Sequence, residues 1–217
     1  MDLRFDITTL EGQEQRYQEY LKKQEKEKLE RKIEDYKVSG VPKKFFDKGF
    51  ESYVAESEEE KQIKDTVFKF SENPKNRILI LCGKNGNGKT HLGAAVIYEY
   101  GGRYITSSML CIKYESAKSG YNSNETRTAL LDYYCKTKML VIDECMKYLL
   151  NPELEKFLLG FILCTRYENN LPTMFITNSD KKTMIEFLGK ASYDRLTEVC
   201  TTLDFTWESR RKKNRQD

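Results

Sequence analysis

The chain has 217 residues, of which 39% are hydrophobic and 33% are charged, and its formal net charge is +3. This length is typical of one domain with at most a short appendage. The small net charge excludes binding to nucleic acid through a global positive field, so any such contact must come from local clusters. No apolar run approaches the ~18 residues of a membrane span, and the N-terminus lacks the basic-then-apolar order of a signal peptide. We therefore expect no membrane partner.

Six cysteines are scattered along the chain without a C-x-x-C pair, and there is a single histidine. This pattern argues against a zinc site. Several of the cysteines lie in or beside apolar runs, where a free thiol behaves as a small hydrophobe. We therefore expect the reducing, cytoplasmic compartment.

The first predicted element is a strongly charged helix. Residues 11–37 carry 16 charged side chains and only a thin apolar stripe, made of Tyr17, Tyr20, Leu21, Leu29, Ile33 and Tyr36. Such a helix cannot bury itself well. It is either a solvated charged helix or a docking helix that binds another protein. Gly40 and Pro42 end it, so we divide the chain into an arm, residues 1–40, and a core, residues 41–217.

The core alternates apolar runs with helical stretches. After a helix predicted at about 57–71, the strand candidates are residues 77–82, 103–106, 138–143, 173–178 and 203–207. Short apolar runs separated by helices predict an α/β fold, with a five-stranded parallel sheet covered on both faces. The longest polar stretch inside the core, residues 116–128, is expected to be a surface loop.

The first strand candidate leads directly into the glycine-rich stretch LCGKNGNGKTHLG, residues 81–93. It fits the phosphate-binding pattern G-x-x-x-x-G-K-[ST] through Gly83, Gly88, Lys89 and Thr90. The glycines, with Gly86 between them, leave backbone N–H groups open to a phosphate, and the following helix offers its N-terminus. We expect Lys89 to reach the β- and γ-phosphates of ATP and Thr90 to bind Mg²⁺. A glycine-rich turn without a ligand is the alternative, and it does not account for the full GKT.

Two later strand candidates end in polar residues that complete such a site. KMLVIDE ends in Asp143, where an Mg²⁺-organising carboxylate belongs, and in Glu144, which can orient or deprotonate the attacking water. TMFITN ends in Asn178, which can bond that water or the γ-phosphate. Alone, Asn178 would be an ordinary turn residue. With the phosphate loop, these residues predict ATP hydrolysis.

In their order, these motifs resemble the AAA+ ATPases, and more narrowly the DnaC-like bacterial and phage helicase loaders, with the transposition helper IstB as a relative. The resemblance covers residues 40–211 and is carried by GVPKKFFDKGFESY, GKNGNGKTHLGAAV, LVIDE, TRYENNLPTMFITNS and LGKASYDRLTEVCTTLDFTWESRR. It implies a three-layer AAA+ P-loop domain. It also implies that the nucleotide contacts Gly83, Lys84, Asn85, Gly86, Asn87, Gly88, Lys89, Thr90 and His91.

The resemblance assigns two arginines to the nucleotide. Arg195 of YDRL resembles an arginine finger, which reaches the γ-phosphate of a neighbouring subunit, so activity would need self-association into an open ring or spiral. Arg211 resembles a second phosphate-sensing arginine, with Arg210 beside it as the alternative. Ten residues follow Trp207, so the resemblance implies a shortened lid.

The resemblance also points to partners. The arm would dock on a hexameric replicative DNA helicase. The stretch after the second strand, residues 107–120, falls where the family contacts single-stranded DNA, so Lys113, Tyr114 and Lys118 are candidates for backbone contact and base stacking. Here the alternative is an ordinary amphipathic helix with Tyr114 packed inward. The basic tail RRKKNRQD could contact phosphates without sequence preference.

The leading expectation is an ATP-dependent loader of a hexameric replicative helicase onto single-stranded DNA, with hydrolysis at subunit interfaces controlling release. One alternative is an IstB-like transposition helper that assembles on duplex DNA. Another is a helicase-binding regulator without turnover, against which the intact set of Lys89, Thr90, Asp143 and Glu144 argues. A metabolic kinase would explain the phosphate loop but neither Asn178 nor YDRL.

Overall fold

The structure is a computed structural model that describes residues 7–74, 77–117, 126–147, 151–189, 192, 196 and 198–210. The chain divides into two compact units, Met1–Asp35 and Tyr36–Asp217. Nearly all of helix α1 (Ile7–Lys37) lies in the first unit. In that unit the side chains of Tyr17, Tyr20 and Leu29 are 56%, 55% and 50% exposed. These side chains of the stripe therefore lie on the helix surface, whereas Tyr36, the last residue of the stripe, is 5% exposed and belongs to the core of the second unit.

The second unit is built on a five-stranded parallel sheet, as the sequence predicts. Its strands are β1 (Ile78–Gly83), β2 (Arg103–Thr106), β3 (Leu140–Cys145), β4 (Thr173–Thr177) and β5 (Cys200–Phe205). They lie in the order β2-β3-β4-β1-β5, and every neighbouring pair is parallel. The first and third strands are therefore separated only by β4, and β2 is an edge strand.

Helices cover both faces of the sheet and make three layers. They are α2 (Glu58–Glu72), α3 (Lys89–Tyr100), α4 (Ser107–Ser116), α5 (Arg127–Lys136), α6 (Pro152–Glu168) and α7 (Lys181–Leu188), with a short 3₁₀ turn at Lys43–Phe45. Because successive strand side chains point to opposite faces, Leu79 and Leu81 pack with α2 and α3. By the same alternation, Ile78 and Ile80 pack with α4 to α7.

A fully buried arginine fixes the junction between α6 and the starts of β3 and β4. The guanidinium of Arg166 donates to the carbonyls of Tyr134, Cys135, Thr137 and Pro172 and to the hydroxyl of Thr173, at 2.6–3.2 Å. It thus satisfies carbonyls that α5 leaves open at its end. Burial lowers the pKa of Arg166 to about 10, so the group stays charged at neutral pH.

Most of the polar stretch 116–128 lies outside the described residues, with α4 ending at Ser116 and α5 beginning at Arg127. Among the helices that the structure describes, none has the length and apolar character that crossing a membrane requires.

Candidate nucleotide site

The glycine-rich stretch forms the loop between β1 and α3. Gly83, Gly86 and Gly88 have φ angles of 127°, 86° and 98°, a region that L-residues with side chains rarely adopt. Space is also restricted, since a Cβ on Gly88 would lie 2.6 Å from the ring of Tyr53, and one on Gly83 would lie 2.4 Å from the carbonyl oxygen of Phe205. The loop thus requires glycine for its backbone conformation and for its packing.

Helix α3 begins without the side-chain cap that the other helices of this unit have. The helices α2, α4, α5, α6 and α7 begin at Ser57, Thr106, Thr126, Asn151 and Asp180, each of which accepts a bond from a first-turn N–H. At α3 the cap position is Gly88, with no side-chain bond. Its first N–H groups and the positive end of its dipole are therefore available to an anion, as phosphate binding requires.

The ammonium group of Lys89 is held at the centre of this loop. The residue is 4% exposed, and its Nζ donates to the carbonyl oxygens of Gly83 and Lys84 at 2.6 and 2.7 Å and to Oδ1 of Asn87 at 3.0 Å. An ammonium has three protons, so these bonds occupy it. To bind a phosphate oxygen, Lys89 must exchange at least one of them.

Asp143 near the end of β3 faces the loop across β4. Its Oδ2 accepts hydrogen bonds from Thr90 Oγ1, at 2.8 Å, and from the hydroxyl of Tyr104, while Oδ1 accepts from the N–H of Glu144 at 2.6 Å. Burial raises the pKa of Asp143 above its ordinary value, and the three donors act in the opposite direction. The Thr90 hydroxyl and the Asp143 carboxylate form the paired hard-oxygen set that fits Mg²⁺.

Glu144 leaves the strand register. Its φ angle is 59°, in the left-handed region, and the pairing of β3 with β4 is irregular between Ile142 and Cys145. For a residue with a side chain, such a backbone costs about 1–3 kcal/mol and is typical of functional sites. The Glu144 side chain is 31% exposed and pairs with Lys147 Nζ at 2.5 Å. The carboxylate is thus partly exposed and ion-paired beside the buried Asp143.

Asn178 follows β4 directly and is partly buried. Because β4 lies between β3 and β1, Asn178 lies at the same edge of the sheet as the phosphate loop and Asp143. Its contact with water or phosphate stays a prediction. Arg195, Arg211 and Lys118 lie outside the described residues, so their assignments also stay predictions.

Sequence reasoning missed the segment that braces the phosphate loop. Asn87 donates to the carbonyl of Phe205 at 2.9 Å, and its own carbonyl accepts from Trp207 Nε1 at 3.0 Å. The N–H of Arg210 bonds the carbonyl of Gly86 at 3.0 Å. Contacts of this kind depend on the pairing of β5 with β1, which the linear sequence does not reveal.

Arg210 and His91 connect the loop with α2 and with the segment before α2. The Arg210 guanidinium forms a 2.5 Å ion pair with Glu60 and lies 4.7 Å from the ring centroid of Tyr53. His91 Nε2 lies 2.9 Å from the carbonyl oxygen of Gly49, and burial lowers the pKa of the imidazole. Both residues thus hold the segment before α2, which contains Gly49 and Tyr53, against the loop.

The two described candidates for DNA contact lie on α4. The Tyr114 ring packs with the Arg127 guanidinium 4.6 Å from its centroid and with Phe157 at 6.4 Å. Lys113 is partly buried and lines a groove beside β2. Tyr114 thus packs against neighbouring helices, as expected if α4 is an ordinary amphipathic helix.

A phosphate loop after the interior strand β1, an Asp-Glu pair at the end of β3 and this strand order define a P-loop ATPase of the AAA+ class. More narrowly, the chain belongs to the family of IstB-like ATP-binding proteins, whose model matches residues 9–217. The expected resemblance and the ATPase assignment are thereby confirmed.

Two sets of relatives agree with this assignment. The replicative helicase loader DnaC of Escherichia coli K12 is 28% identical over 170 residues, which are 76% of this chain and 69% of DnaC. A crystal structure of the DnaC helicase loader matches with a TM-score of 0.61 at 20% identity, covering 75% of this chain and 99% of that one. The crystal structure of DnaI matches with a TM-score of 0.61 at 19% identity, covering 75% and 93%. At these identities the structures show a shared fold.

Proposed function

We propose that this protein is an ATP-dependent loader of a hexameric replicative DNA helicase onto single-stranded DNA. The observation that carries the proposal is the convergence of Lys89, Thr90, Asp143 and Glu144 at one edge of the sheet, in a chain similar to DnaC over most of its length. The exposed stripe of α1 and the six free cysteines support a docking arm and a cytoplasmic location.

The residues of the site have distinct tasks in hydrolysis. Lys89 exchanges a loop carbonyl for phosphate oxygens, and the N-terminus of α3 receives the phosphate charge. Thr90 and Asp143 would hold Mg²⁺, which when bound neutralises charge on the phosphates. Glu144 is partly exposed and paired with Lys147. Its carboxylate accepts the proton of the attacking water when that water replaces Lys147 at one of the carboxylate oxygens. Asn178 orients that water.

Assembly completes the site in this proposal. Arg195 of one subunit reaches the γ-phosphate bound by its neighbour. Arg211 is a second phosphate-sensing arginine, with Arg210 beside it as the alternative. Hydrolysis in an open ring or spiral then controls release of the helicase. Lys113, Tyr114 and Lys118 are retained as candidate contacts to the single strand.

The test is ATP hydrolysis measured alone and with single-stranded DNA and a replicative helicase. We expect Glu144→Gln to lower turnover by at least about 10²-fold and Arg195→Ala by about 10³-fold. Arg77→Ala is the matched control, since Arg77 is exposed at the start of β1, at the opposite edge of the sheet. Wild-type turnover in Arg195→Ala, with no helicase co-purifying, would contradict both the finger and the loader.

A second candidate function is an IstB-like transposition helper, which the family match itself favours. Stable oligomers that form on duplex DNA without any helicase would support it over the loader. A regulator without turnover predicts ATP binding with no hydrolysis under any of these conditions, and the retention of Glu144 beside Asp143 argues against it.

A further inference from the structure

We propose that Glu155, a buried carboxylate on α6, is a positioning residue that fixes the direction of the Glu144 side chain. This role rests on the proposed function, in which Glu144 accepts the proton of the attacking water, and it adds a residue that acts through Glu144. Glu155 is 5% exposed and lies in the first turn of α6. Burial of a carboxylate is costly without hydrogen-bond donors, so the donors that Glu155 meets indicate its task.

The turn after β3 has an unusual backbone on both sides of Cys145. The φ angles of Glu144 and Met146 are 59° and 62°, in the left-handed region that favours glycine. Residues with side chains keep such a conformation only where the surrounding structure holds them in it. The contacts of this turn therefore determine the direction in which Glu144 leaves the backbone.

One peptide group of this turn, the one that joins Cys145 to Met146, is held from two sides. Its carbonyl oxygen accepts a hydrogen bond from Thr177 Oγ1 at 3.0 Å. Its N–H donates to Glu155 Oε1 at 2.7 Å. Because the C=O and N–H of a planar trans peptide point in opposite directions, β4 and α6 together fix the orientation of this plane. The plane cannot rotate without loss of a bond, and Glu144 lies directly before it.

The Glu155 carboxylate is itself held by α4. Its Oε1 also accepts a hydrogen bond from the hydroxyl of Ser107, the first residue of α4, and Ser107 is buried. Two donors from different elements thus meet one carboxylate oxygen. The turn after β3 is therefore supported by a side chain whose own position is fixed, as precise placement of a reacting group requires.

A purely structural role for Glu155 makes different predictions. A residue that only holds α4 and α6 together would act on ATP affinity and turnover alike, and would do so whether or not residue 144 carries a carboxylate. A residue that positions Glu144 acts on turnover alone, and only while the Glu144 carboxylate is present. The two roles can therefore be separated by experiment.

The experiment measures ATP turnover and the affinity for a fluorescent ATP analogue in the full chain, with single-stranded DNA and a replicative helicase present. We expect Glu155→Met to lower kcat about 10-fold or more, since a misplacement of about 1 Å can cost about 10²-fold. ATP affinity should stay within about twofold of wild type, because the phosphate loop keeps its contacts. Glu155→Gln, which keeps an oxygen acceptor, should restore kcat to within about threefold. Glu153→Met is the matched control, since Glu153 is exposed in the same turn of α6.

A second measurement tests whether Glu155 acts through Glu144. When Glu155→Met is added to Glu144→Gln, turnover should change by less than about twofold, because residues that act as one unit are not additive. Thr177→Val removes the bond on the other side of the same peptide. It should lower kcat in the wild-type chain and leave it unchanged in Glu144→Gln, and it provides the test if Glu155→Met does not fold, as judged by circular dichroism.

The outcomes separate the positioning role from the proposed function. Wild-type kcat in Glu155→Met, or an equal further loss when it is added to Glu144→Gln, would overturn the positioning role and leave the proposed function standing. If Glu155→Met does not fold, wild-type kcat in Thr177→Val would have the same meaning. Wild-type turnover in Glu144→Gln would contradict the role of Glu144 in the proposed function, and the positioning role with it.

Discussion

The unit that begins at Tyr36 buries most of its large apolar side chains, whereas the part of helix α1 that precedes it exposes such side chains. In the former, the phosphate loop is held from several sides, by Tyr53, Phe205, Trp207 and Arg210, and the sheet beneath it is buried. In the part of α1 before Tyr36, the side chains of Tyr17, Tyr20 and Leu29 are about half exposed. We therefore expect changes in the first to act on stability and chemistry, while changes at the exposed residues of the second leave both nearly unchanged.

The largest effect is expected from Arg166→Met. It leaves four buried carbonyls and the Thr173 hydroxyl without their donor, at about 1–3 kcal/mol for each group left unsatisfied. We expect a loss of about 4 kcal/mol or more in the free energy of unfolding, measured by urea denaturation. The exposed Arg77, changed to Met, should stay within about 0.5 kcal/mol of wild type. Equal stability of the two variants would show that the Arg166 bonds contribute little.

The next effect is expected from Gly88→Ala, which adds a Cβ at positive φ against the Tyr53 ring. The loop must shift, so ATP affinity should fall at least about 10-fold, since a left-handed residue with a side chain costs about 1–2 kcal/mol. Titration with a fluorescent ATP analogue measures this. Gly49→Ala is the control, because a Cβ there meets nothing within 4 Å. Unchanged affinity in Gly88→Ala would contradict a rigid loop.

A smaller and pH-dependent effect is expected from Tyr104→Phe. Burial raises the pKa of Asp143, and the Tyr104 hydrogen bond opposes that shift, so removing the hydroxyl raises the pKa further. The site needs the ionised Asp143 carboxylate, so the acid limb of the pH profile should move to higher pH. Turnover at pH 7 should fall about 10-fold. The pH profile of ATP hydrolysis measures both. A profile that coincides with that of wild type would show that the hydroxyl is dispensable.

The smallest effect on the core is expected from Tyr20→Ala in α1. The free energy of unfolding should stay within about 0.5 kcal/mol of wild type, and the intrinsic rate of ATP hydrolysis should be unchanged. Co-purification with the helicase should be lost if the arm docks there. Gln18→Ala is the control, since Gln18 is exposed on the same helix and donates a hydrogen bond to Glu14. If the two variants retain the helicase equally, the aromatic stripe is not the docking face.

The sequence predicted the strands and the phosphate loop because both depend on local pattern. Apolar runs such as ILIL predict buried strands, and the GKT spacing has a direct chemical meaning. The roles of Tyr104 and Arg166 could not be predicted, since a tyrosine in a short strand and an arginine late in a helix are ordinary residues until their partners are known. The Asp143–Tyr104 bond depends on the pairing of β2 with β3, and that pairing follows from the strand order, which the sequence leaves open.

Arg195 illustrates a further limit. Periodicity and spacing do not distinguish an arginine finger from a surface arginine on a helix. The assignment therefore rests on the resemblance of YDRL alone and stays a prediction.

The brace between the phosphate loop and the segment after β5 has a consequence for synthesis of the chain on the ribosome. The hydrogen-bond partners of Asn87, Phe205 and Trp207, lie 118 and 120 residues later in the chain and are therefore synthesised long after it. A nascent chain that has emerged only as far as β4 already contains every residue from Gly83 to Asp143, yet it lacks these two partners of the loop. The phosphate loop would therefore reach its final set of contacts only after β5 has paired with β1.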